Sequence, residues 1–408
     1  MAQVEVQLEQ QESRFALRSK TFSIFMGGSL VTRVGDWMDL VVLNWAVLQF
    51  TNSPLQLAII NACRLVPTFI FSIPGGILAD RYDRRKLLIL LQSGMMLLTV
   101  WIGFLVEGGQ SYKLFILIVT VRAILAAMEP PIRQALLPEL VPTSSMASAI
   151  AINTTIIHLA RIIGPAIAGV LLAVLNTANL FYLNALCMLG VILSLLMIRY
   201  QSFSEVNRKE KHPTSIADAI AFVKTTPTVQ SLLILAVVPM LFGFPYTTMM
   251  PLFVKDLYKL GPGSFGMLLA ISSIGALVGS CWLSIGRELN NIGKWLIYSI
   301  IAFGGSLLLF VVTSNIFIAS IAMFLVGLTS QVYRTMSRIT IQMKVPNRLR
   351  GRILSIALMD RGFIPLGALV IGMIATWAGT MWAGVVMGLG CIVSTIIVVT
   401  YRRQIYYL

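Results

Sequence analysis

Charged residues are scarce in this sequence, since Asp, Glu, Lys and Arg together make up only 12% of its 408 residues. A typical soluble domain carries about 25% charged residues. Hydrophobic residues make up 57% of the chain and are spread over nearly its whole length. The composition therefore excludes an ordinary soluble protein and predicts that most of the surface faces lipid.

Nucleotide, metal and disulfide patterns are also missing. The sequence has no P-loop, HExxH or GxSxG motif and no extramembrane stretch longer than about thirty residues. These absences argue against the two other classes considered, a membrane-embedded enzyme and a sensor with an output domain. The four cysteines, Cys63, Cys187, Cys281 and Cys391, stand singly in apolar segments, which is typical of packing positions. We expect no cofactor, metal site or catalytic residue.

The hydrophobic stretches are long enough to cross a bilayer, which takes roughly 20 apolar residues per helix. Charges and Pro, Gly or Asn breaks divide the chain into twelve predicted transmembrane helices, which makes the fold class all-α integral membrane. They lie near 21–50, 54–79, 87–107, 114–137, 146–175, 179–199, 228–258, 262–286, 294–312, 315–343, 350–376 and 379–401. A count of ten or eleven would require a weak span, such as the proline-rich 228–258, to be re-entrant.

The positions of lysine and arginine predict the orientation. Of the 31 basic residues, 23 fall in segments on the same side as both termini, and three, Lys113, Lys255 and Lys259, fall in the opposite loops. The positive-inside rule therefore places both termini in the cytosol and the protein in the cell inner or plasma membrane as a multi-pass protein. The net charge of +15 then reflects topology and the anionic inner leaflet, so we expect no nucleic acid partner.

The chain divides near its middle into two similar halves. We predict a cytosolic segment 1–20, a six-helix bundle 21–199, a cytosolic central loop 200–226, a second six-helix bundle 227–401 and a cytosolic tail 402–408. A Val-Pro loop precedes the fifth span of each half, and Pro142 and Pro346 are 204 residues apart, half the chain length. This spacing favours two parallel repeats.

The stretch "PGGILADRYDRRKLL" (74–88) interrupts the apolar sequence with six charges in the seven residues 80–86. Asp80 ends its own span, where a negative charge opposes the helix dipole. We therefore expect it to pair with a base, Arg350 or Arg352 at the start of span eleven, or with the N-terminus of another helix, and such a pair would close the cytoplasmic gate. The alternative is a solvated loop whose bases only set topology.

The same stretch resembles the loop signature of the major facilitator superfamily, Gly-x-x-x-Asp-Arg-x-Gly-Arg-Arg. It reads here as Gly76, Asp80, Arg81, Asp83, Arg84 and Arg85, with Asp83 in place of the second glycine. "ADRYDRRK", "GDWMDLVVLNWAVLQFTNSPLQLA" (35–58), "RQALLPELVP" (133–142) and "RLRGRILS" (348–355) resemble the exporter branch that includes siderophore (enterobactin-type) and macrolide or multidrug efflux carriers. The resemblance implies a twelve-helix carrier whose halves rock about a central cavity.

Span one carries three charged residues, Arg33, Asp36 and Asp39. A charge near the bilayer centre costs about 2.5–3.5 kcal/mol even on the scale derived from membrane insertion, so we expect each of these residues to have a structural or functional role. If Arg33 neutralises Asp36, Asp39 is left to titrate, and we predict it as the preferred proton site. The alternative is a static Arg33–Asp36 pair with Asp39 in water at the outer mouth.

Further proton-coupling candidates lie in other spans. Arg122 of span four matches a family motif linked to proton coupling, although the following glycine is missing. Glu129 lies two turns along, and both residues alternatively connect span four to span one. The other candidates are His158, for which packing is the alternative, and Asp360, beside Arg361 in span eleven.

Span five contains "RIIGPAIAG", which resembles the antiporter motif of the superfamily. The residues that carry the likeness are Arg161, Gly164, Pro165 and Gly169, and Gly169 stands one position later than the usual ending. A packing kink is the alternative, because proline frees a backbone carbonyl and glycine permits close helix approach.

Aromatic, amide and methionine side chains are the candidates for the cavity wall, since such walls suit bulky or amphipathic ligands. They are Trp37, Asn44, Trp45, Gln49, Asn153, Phe242, Phe244, Tyr246, Met249, Met250 and Tyr333. We therefore expect a monomeric, proton-coupled exporter of a small amphipathic organic compound, such as a siderophore or drug, that works by alternating access. An importer or a lipid flippase of the same fold is the alternative.

Overall fold

The computed structural model describes most of the chain. The described residues are 15–109, 111–198, 216–284, 291–346, 349, 353, 356–357, 359–402 and 406. Within these ranges the chain forms helices and no strand. It divides into two compact units: unit 1 comprises Met1–Ala46 and Cys63–Lys209, and unit 2 comprises Val47–Ala62 and Glu210–Leu408.

Unit 1 is built mainly from six long helices. They are α1 (Lys20–Thr51), α2 (Pro54–Arg81), α3 (Arg84–Glu107), α4 (Tyr112–Leu136), α5 (Met146–Leu172) and α6 (Thr177–Met197). The end of α1 and the start of α2 belong to unit 2. Asp83 begins α3 as its N-cap, because its carboxylate accepts the Lys86 backbone N–H at 3.1 Å, which satisfies one of the helix's free donors.

Unit 2 contains the remaining helices. They are α7 (Ile216–Thr225), α8 (Pro227–Val238), α9 (Tyr246–Asp256), α10 (Pro262–Ser284), α11 (Ile292–Val312), α12 (Ile316–Lys344), α13 (Phe363–Ala378) and α14 (Thr380–Tyr401). Helices α10 and α12 approach closely, because a Cβ atom on Gly327 would collide with the Ser272 carbonyl. Small residues of this kind commonly form helix contacts in membranes.

A π turn, Pro239–Gly243, separates α8 from α9. The Phe244 N–H donates to the Pro239 carbonyl at 2.8 Å, the wider ring that defines a π turn. The whole of Pro227–Asp256 is nevertheless long and apolar enough to cross a membrane. The regular α-helix is therefore interrupted at Pro239, but the stretch still has the length and composition of a membrane crossing.

Eleven helices within the described ranges are long and apolar enough to cross a membrane. Helix α1 is not among them, although it is 32 residues long, because charged and amide side chains in its second half lower its hydropathy. The length and composition of a membrane crossing are thus confirmed for the predicted span 228–258, whereas the helix of span one does not reach the same hydropathy. The twelve-helix count and the two-repeat layout stay predictions.

Candidate functional site

Asp39 of α1 is buried, with 4% of its surface exposed, and is bound by three other helices. Arg122 of α4 donates to both carboxylate oxygens, from Nη1 to Oδ1 at 2.9 Å and from Nη2 to Oδ2 at 2.7 Å. Asn184 of α6 donates to Oδ1 at 3.1 Å, and Nη2 of Arg64 in α2 lies 3.9 Å from Oδ2. A bidentate Arg–carboxylate pair is among the strongest polar contacts in proteins.

Two further features, one on α3 and one on α1 itself, position this carboxylate. Thr99 of α3 accepts a hydrogen bond from Nη1 of Arg122 at 3.1 Å, which fixes the guanidinium plane. Gly35, one turn before Asp39, lets α6 approach α1, because a Cβ atom there would lie 2.7 Å from the Asn184 side chain. We call Asp39, Arg64, Thr99, Arg122 and Asn184 the Asp39 cluster.

The pairing predicted within span one is wrong. Asp39 is the paired acid, and among the described residues Arg33 and Asp36 form no ion pair within 4 Å. The Arg33 Nε is buried and makes no hydrogen bond. The physical reason is the packing of α4 against α1. This packing brings the planar guanidinium of Arg122 to both oxygens of Asp39, so that Asp39, and not Asp36, is the paired acid of span one.

A second connection between α4 and α1 involves Arg133. Its Nε donates to Glu129 at 2.7 Å and its Nη1 to Ser29 of α1 at 2.8 Å, while its guanidinium lies 5.7 Å from the Phe25 ring centre. The structure thus connects span four to span one. Such a connection is the structural alternative to proton coupling that the sequence allows for Arg122 and Glu129. Sequence reasoning missed Arg133, although its place one turn after Glu129 was a signal.

The arginines of the loop signature bind helix ends in unit 1. Arg84 donates to the carbonyls of Ala79 at 2.9 Å and Ala135 at 3.0 Å, near the ends of α2 and α4, and forms an ion pair with buried Glu139. Arg85 donates to the carbonyls of Leu195 and Leu196 near the end of α6 at 2.6 and 3.2 Å. These are the carbonyls that a helix leaves unsatisfied, at the negative end of its dipole.

The rest of the signature is more exposed. The Asp80 side chain is 77% exposed and lies 4.0 Å from Arg84, and Arg81 is exposed. A Cβ added to Gly76 would have no atom within 4 Å, whereas a Cβ added to its neighbour Gly75 would lie 2.8 Å from the Met128 backbone. Arg350 and Arg352 lie outside the described residues, so the gate pair with Asp80 stays a prediction.

The antiporter-like motif of α5 packs against α1. A Cβ on Gly164 would lie 2.7 Å from the Val34 carbonyl, and the Arg161 guanidinium lies 5.5 Å from the Trp37 ring centre. Pro165 and Gly169 are buried in the same helix, and His158 is half-buried. The motif therefore provides close packing between α5 and α1, and its role in antiport stays a prediction.

Many predicted wall residues make packing contacts instead of facing open space. Asn44 donates to the Leu40 carbonyl at 2.7 Å, the Tyr246 hydroxyl is 3.1 Å from that of Ser272, and the Phe244 ring packs at a tilt against Phe303. Others that are buried are Trp45, Met249, Met250 and Tyr333. Trp37, Asn153 and Phe242 are half-buried and Gln49 is exposed. Substrate contact stays a prediction for each of them.

Asp360 and Arg361 lie in a short 3-10 turn, Met359–Gly362, just before α13. Both line the same cleft of unit 2, together with Arg334 and Arg338 of α12. Sequence reasoning counted these two α12 arginines only as topology charges. Their i, i+4 spacing, which places them on one helix face, was the available signal.

Comparisons with known proteins agree with the helical architecture. A family model described as transmembrane secretion effector matches residues 12–405. The chain is 32% identical over 384 residues to the staphyloferrin A transporter of Staphylococcus aureus (strain NCTC 8325 / PS 47), over 93% of this chain and 96% of that protein. It is 22% identical to the multidrug efflux pump Tap of Mycolicibacterium fortuitum, over 87% of this chain and 89% of the pump.

A solved structure supports the fold independently. A bacterial homolog of the human lysosomal transporter Spinster is similar with a TM-score of 0.71 and 15% identity, over 96% of both chains. The resemblance to the exporter branch and the prediction of a transporter instead of an enzyme are confirmed by the family match, which covers nearly the whole sequence. The chain is a multi-pass membrane transporter, and it belongs to the transmembrane secretion effector family of the major facilitator superfamily.

Proposed function

We propose that this transporter exports a small amphipathic organic compound, such as a siderophore or a drug, in exchange for protons by alternating access. Two relatives are named for a siderophore and for multidrug efflux, which supports the substrate range. The proposal includes a monomer in the bilayer of the cell inner or plasma membrane with both termini in the cytosol. The observation that carries the coupling is the Asp39 cluster, where one carboxylate is bound by side chains from three other helices.

The negative charge on Asp39 determines how tightly these helices are held together. A protonated Asp39 would lose its charge-assisted bonds to Arg122 and its attraction to Arg64. Charge-assisted bonds are roughly twice as strong as neutral ones, so α1 would then be held less tightly against α2 and α4. A carrier that couples protons to conformation needs a linkage of this kind, since a ligand shifts an equilibrium only through differential interaction with its states.

Asp36 and Asp39 have different roles in this proposal. Protonating Asp36 breaks no ion pair among the described residues, whereas protonating Asp39 breaks a bidentate pair. We therefore assign the first proton to Asp36 and the role of fixed anion to Asp39, which connects the helices. Neutral Asp36 then changes the field at Asp39, which lies one turn along the same helix face.

The experiment has two steps. Metabolite profiles of cells with and without the transporter identify a compound that is retained in the cytosol when the transporter is deleted. Everted membrane vesicles then measure its uptake under an imposed pH gradient, with an uncoupler as control. The proposal is supported if uptake of the compound by the wild-type transporter requires the pH gradient and if Asp36→Asn shows no gradient-driven uptake.

Other outcomes point to the alternatives. Gradient-independent exchange of a fluorescent phospholipid, with no movement of the identified compound, would indicate a lipid flippase. Depletion of the compound from wild-type cytosol relative to the medium is expected for an exporter, and the reverse distribution would indicate an importer. Gradient-driven uptake that is normal in Asp36→Asn would remove Asp36 as the proton site, leaving Asp39, Glu129 and Asp360 to be tested.

A further inference from the structure

Unit 2 contains an apolar groove that is formed by α10, α11 and α12. It has a free volume of about 320 Å³ and lies where α10 ends and α11 begins. One face of each helix forms its wall, because the lining residues of each helix follow at helical spacing. The main lining residues are Val278, Trp282, Trp295, Tyr298, Leu328 and Val332.

The wall of the groove presents hydrocarbon and not free polar groups. Its two aliphatic hydroxyl side chains are bonded within their own helices, since Ser299 donates to the Leu296 carbonyl at 2.8 Å and Thr329 to the Leu325 carbonyl at 2.7 Å. A polar solute would lose its bonds to water in such a groove without replacing them. The groove therefore suits an apolar chain.

The size of the groove fits part of one acyl chain. Its free volume of about 320 Å³ equals that of roughly ten water molecules at about 30 Å³ each. Along α11 it extends from Trp295 to Ala302, which is about 10 Å of helix. Open apolar surface of this kind marks a contact with lipid or with another protein.

Aromatic side chains surround the mouth of the groove. The rings of Trp282 and Trp295 lie 5.3 Å apart, close to the end of α10 and the start of α11. The Tyr298 side chain is hydrogen-bonded to that of Tyr406. Because Trp and Tyr collect at the level of the lipid headgroups, the mouth marks the membrane–water interface and the groove runs from there into the hydrocarbon.

A positive charge lies at the same mouth. Lys294 is one turn before Tyr298 on α11, and its Nζ is 4.9 Å from the centre of the Tyr406 ring. The amine is thereby held at the level of the aromatic side chains, where a lipid places its phosphate. A lysine near a membrane surface attracts anionic lipids.

The sequence around this mouth is basic also where it lies outside the described residues. Segments 285–294 and 402–406 together contain four basic residues and one acidic residue. The other segments of unit 2 that are predicted at the same end follow this trend: 199–224 holds five basic and three acidic residues, and 344–352 holds four basic and no acidic ones. The charge at this end therefore complements an anionic headgroup.

We propose that the groove binds one anionic phospholipid, with an acyl chain between α10 and α11 and the phosphate beside Lys294. With the predicted orientation this lipid belongs to the inner leaflet, which is the anionic one. The site is separate from the proton coupling and from the transported compound, because its walls contain none of the residues assigned to either.

The test is native mass spectrometry of the purified full-length chain, delipidated in neutral detergent and titrated with phosphatidylglycerol or with phosphatidylcholine of the same acyl chains. The wild type should retain one phosphatidylglycerol about fivefold more tightly than phosphatidylcholine, the effect of one basic residue near a membrane surface. Ala302→Trp should fill the groove and weaken the binding of both lipids about tenfold or more. The matched control is Leu309→Trp, two turns further along α11 at a position that is 42% exposed, which should bind both lipids as the wild type does.

A second pair of variants tests the headgroup contact. Lys294→Gln should lower the affinity for phosphatidylglycerol to that for phosphatidylcholine, whereas Lys344→Gln, which removes an exposed charge at the end of α12, should change neither. The unfolding temperature is an independent readout, since a ligand stabilises the state that it binds. Phosphatidylglycerol should raise it more in the wild type and Leu309→Trp than in Ala302→Trp.

Three results would overturn the proposal. Equal lipid binding by Ala302→Trp and Leu309→Trp would refute the groove as the lipid site. Equal affinity of the wild type for the two lipids would refute the anionic headgroup. A wild-type dimer without bound lipid that becomes a monomer in Ala302→Trp would assign the groove to a contact between two copies of the chain.

Discussion

Replacing Asp39 by Asn should destabilise the transporter far more than replacing Asp36 by Asn. In the wild type, Oδ2 of Asp39 lies 2.7 Å from Nη2 of Arg122 and 3.9 Å from Nη2 of Arg64. The Asp39 variant removes this negative charge, so that both guanidinium groups lose their contact with it inside the bundle. Removing one partner of a buried ion pair costs about 3–5 kcal/mol, a large part of the roughly 5–15 kcal/mol that holds a typical protein folded. The Asp36 variant loses no ion pair, so we expect a change of about 1 kcal/mol or less.

Thermal unfolding of the purified variants in one detergent measures the difference, with purified yield as a second readout. The double variant Asp39→Asn/Arg122→Gln should recover part of the lost stability, because it no longer leaves the Arg122 charge unpaired. A double-mutant cycle then gives the coupling between the two side chains. If Asp39→Asn unfolds at the wild-type temperature, or if Asp36→Asn is the less stable variant, the assignment of Asp39 as the fixed anion is refuted.

Three further predictions concern the loop signature and the orientation. Arg85→Gln should lower the unfolding free energy by about 2 kcal/mol, because charge-assisted bonds to the α6 carbonyls are lost, whereas exposed Arg81→Gln should leave the unfolding temperature unchanged; equal effects would contradict the end-binding role. Gly75→Ala should disturb the contact of α2 with α4 and lower the unfolding temperature more than Gly76→Ala, and the opposite order would refute the packing argument. A maleimide that cannot cross the membrane should label Arg81→Cys only in everted vesicles and Lys113→Cys only in intact cells; the reverse pattern would invert the topology.

Hydropathy and the loop signature were sufficient to predict the helical membrane fold and the superfamily. Both properties are local, since each span is readable within about 20 residues. The three prolines of 228–258 do not remove this stretch from the spans, because it keeps the length and composition of a membrane crossing. In lipid the freed backbone groups around proline are satisfied by neighbours or by a local π turn, as at Pro239.

Partner choice could not be read from the sequence, because it depends on which helices pack together. Arg122 lies 83 positions from Asp39, and nothing in the local pattern ranks it above Arg33, which is on the same helix less than two turns away. The bonds of Arg84 and Arg85 to helix-end carbonyls were equally invisible, since backbone acceptors leave no residue signature. The sequence therefore identified many of the charged residues that matter and left their roles to be decided by the packing.

The arginines of unit 1 show how packing decides the role of a charge. Arg84, Arg122 and Arg133 each donate to a carboxylate of the same unit. Arg122 binds Asp39 of α1, and Arg133 reaches α1 through Ser29. Because both arginines lie on α4 and these acceptors lie on α1, the packing of the two helices, and not the spacing along either one, determines which charge is balanced.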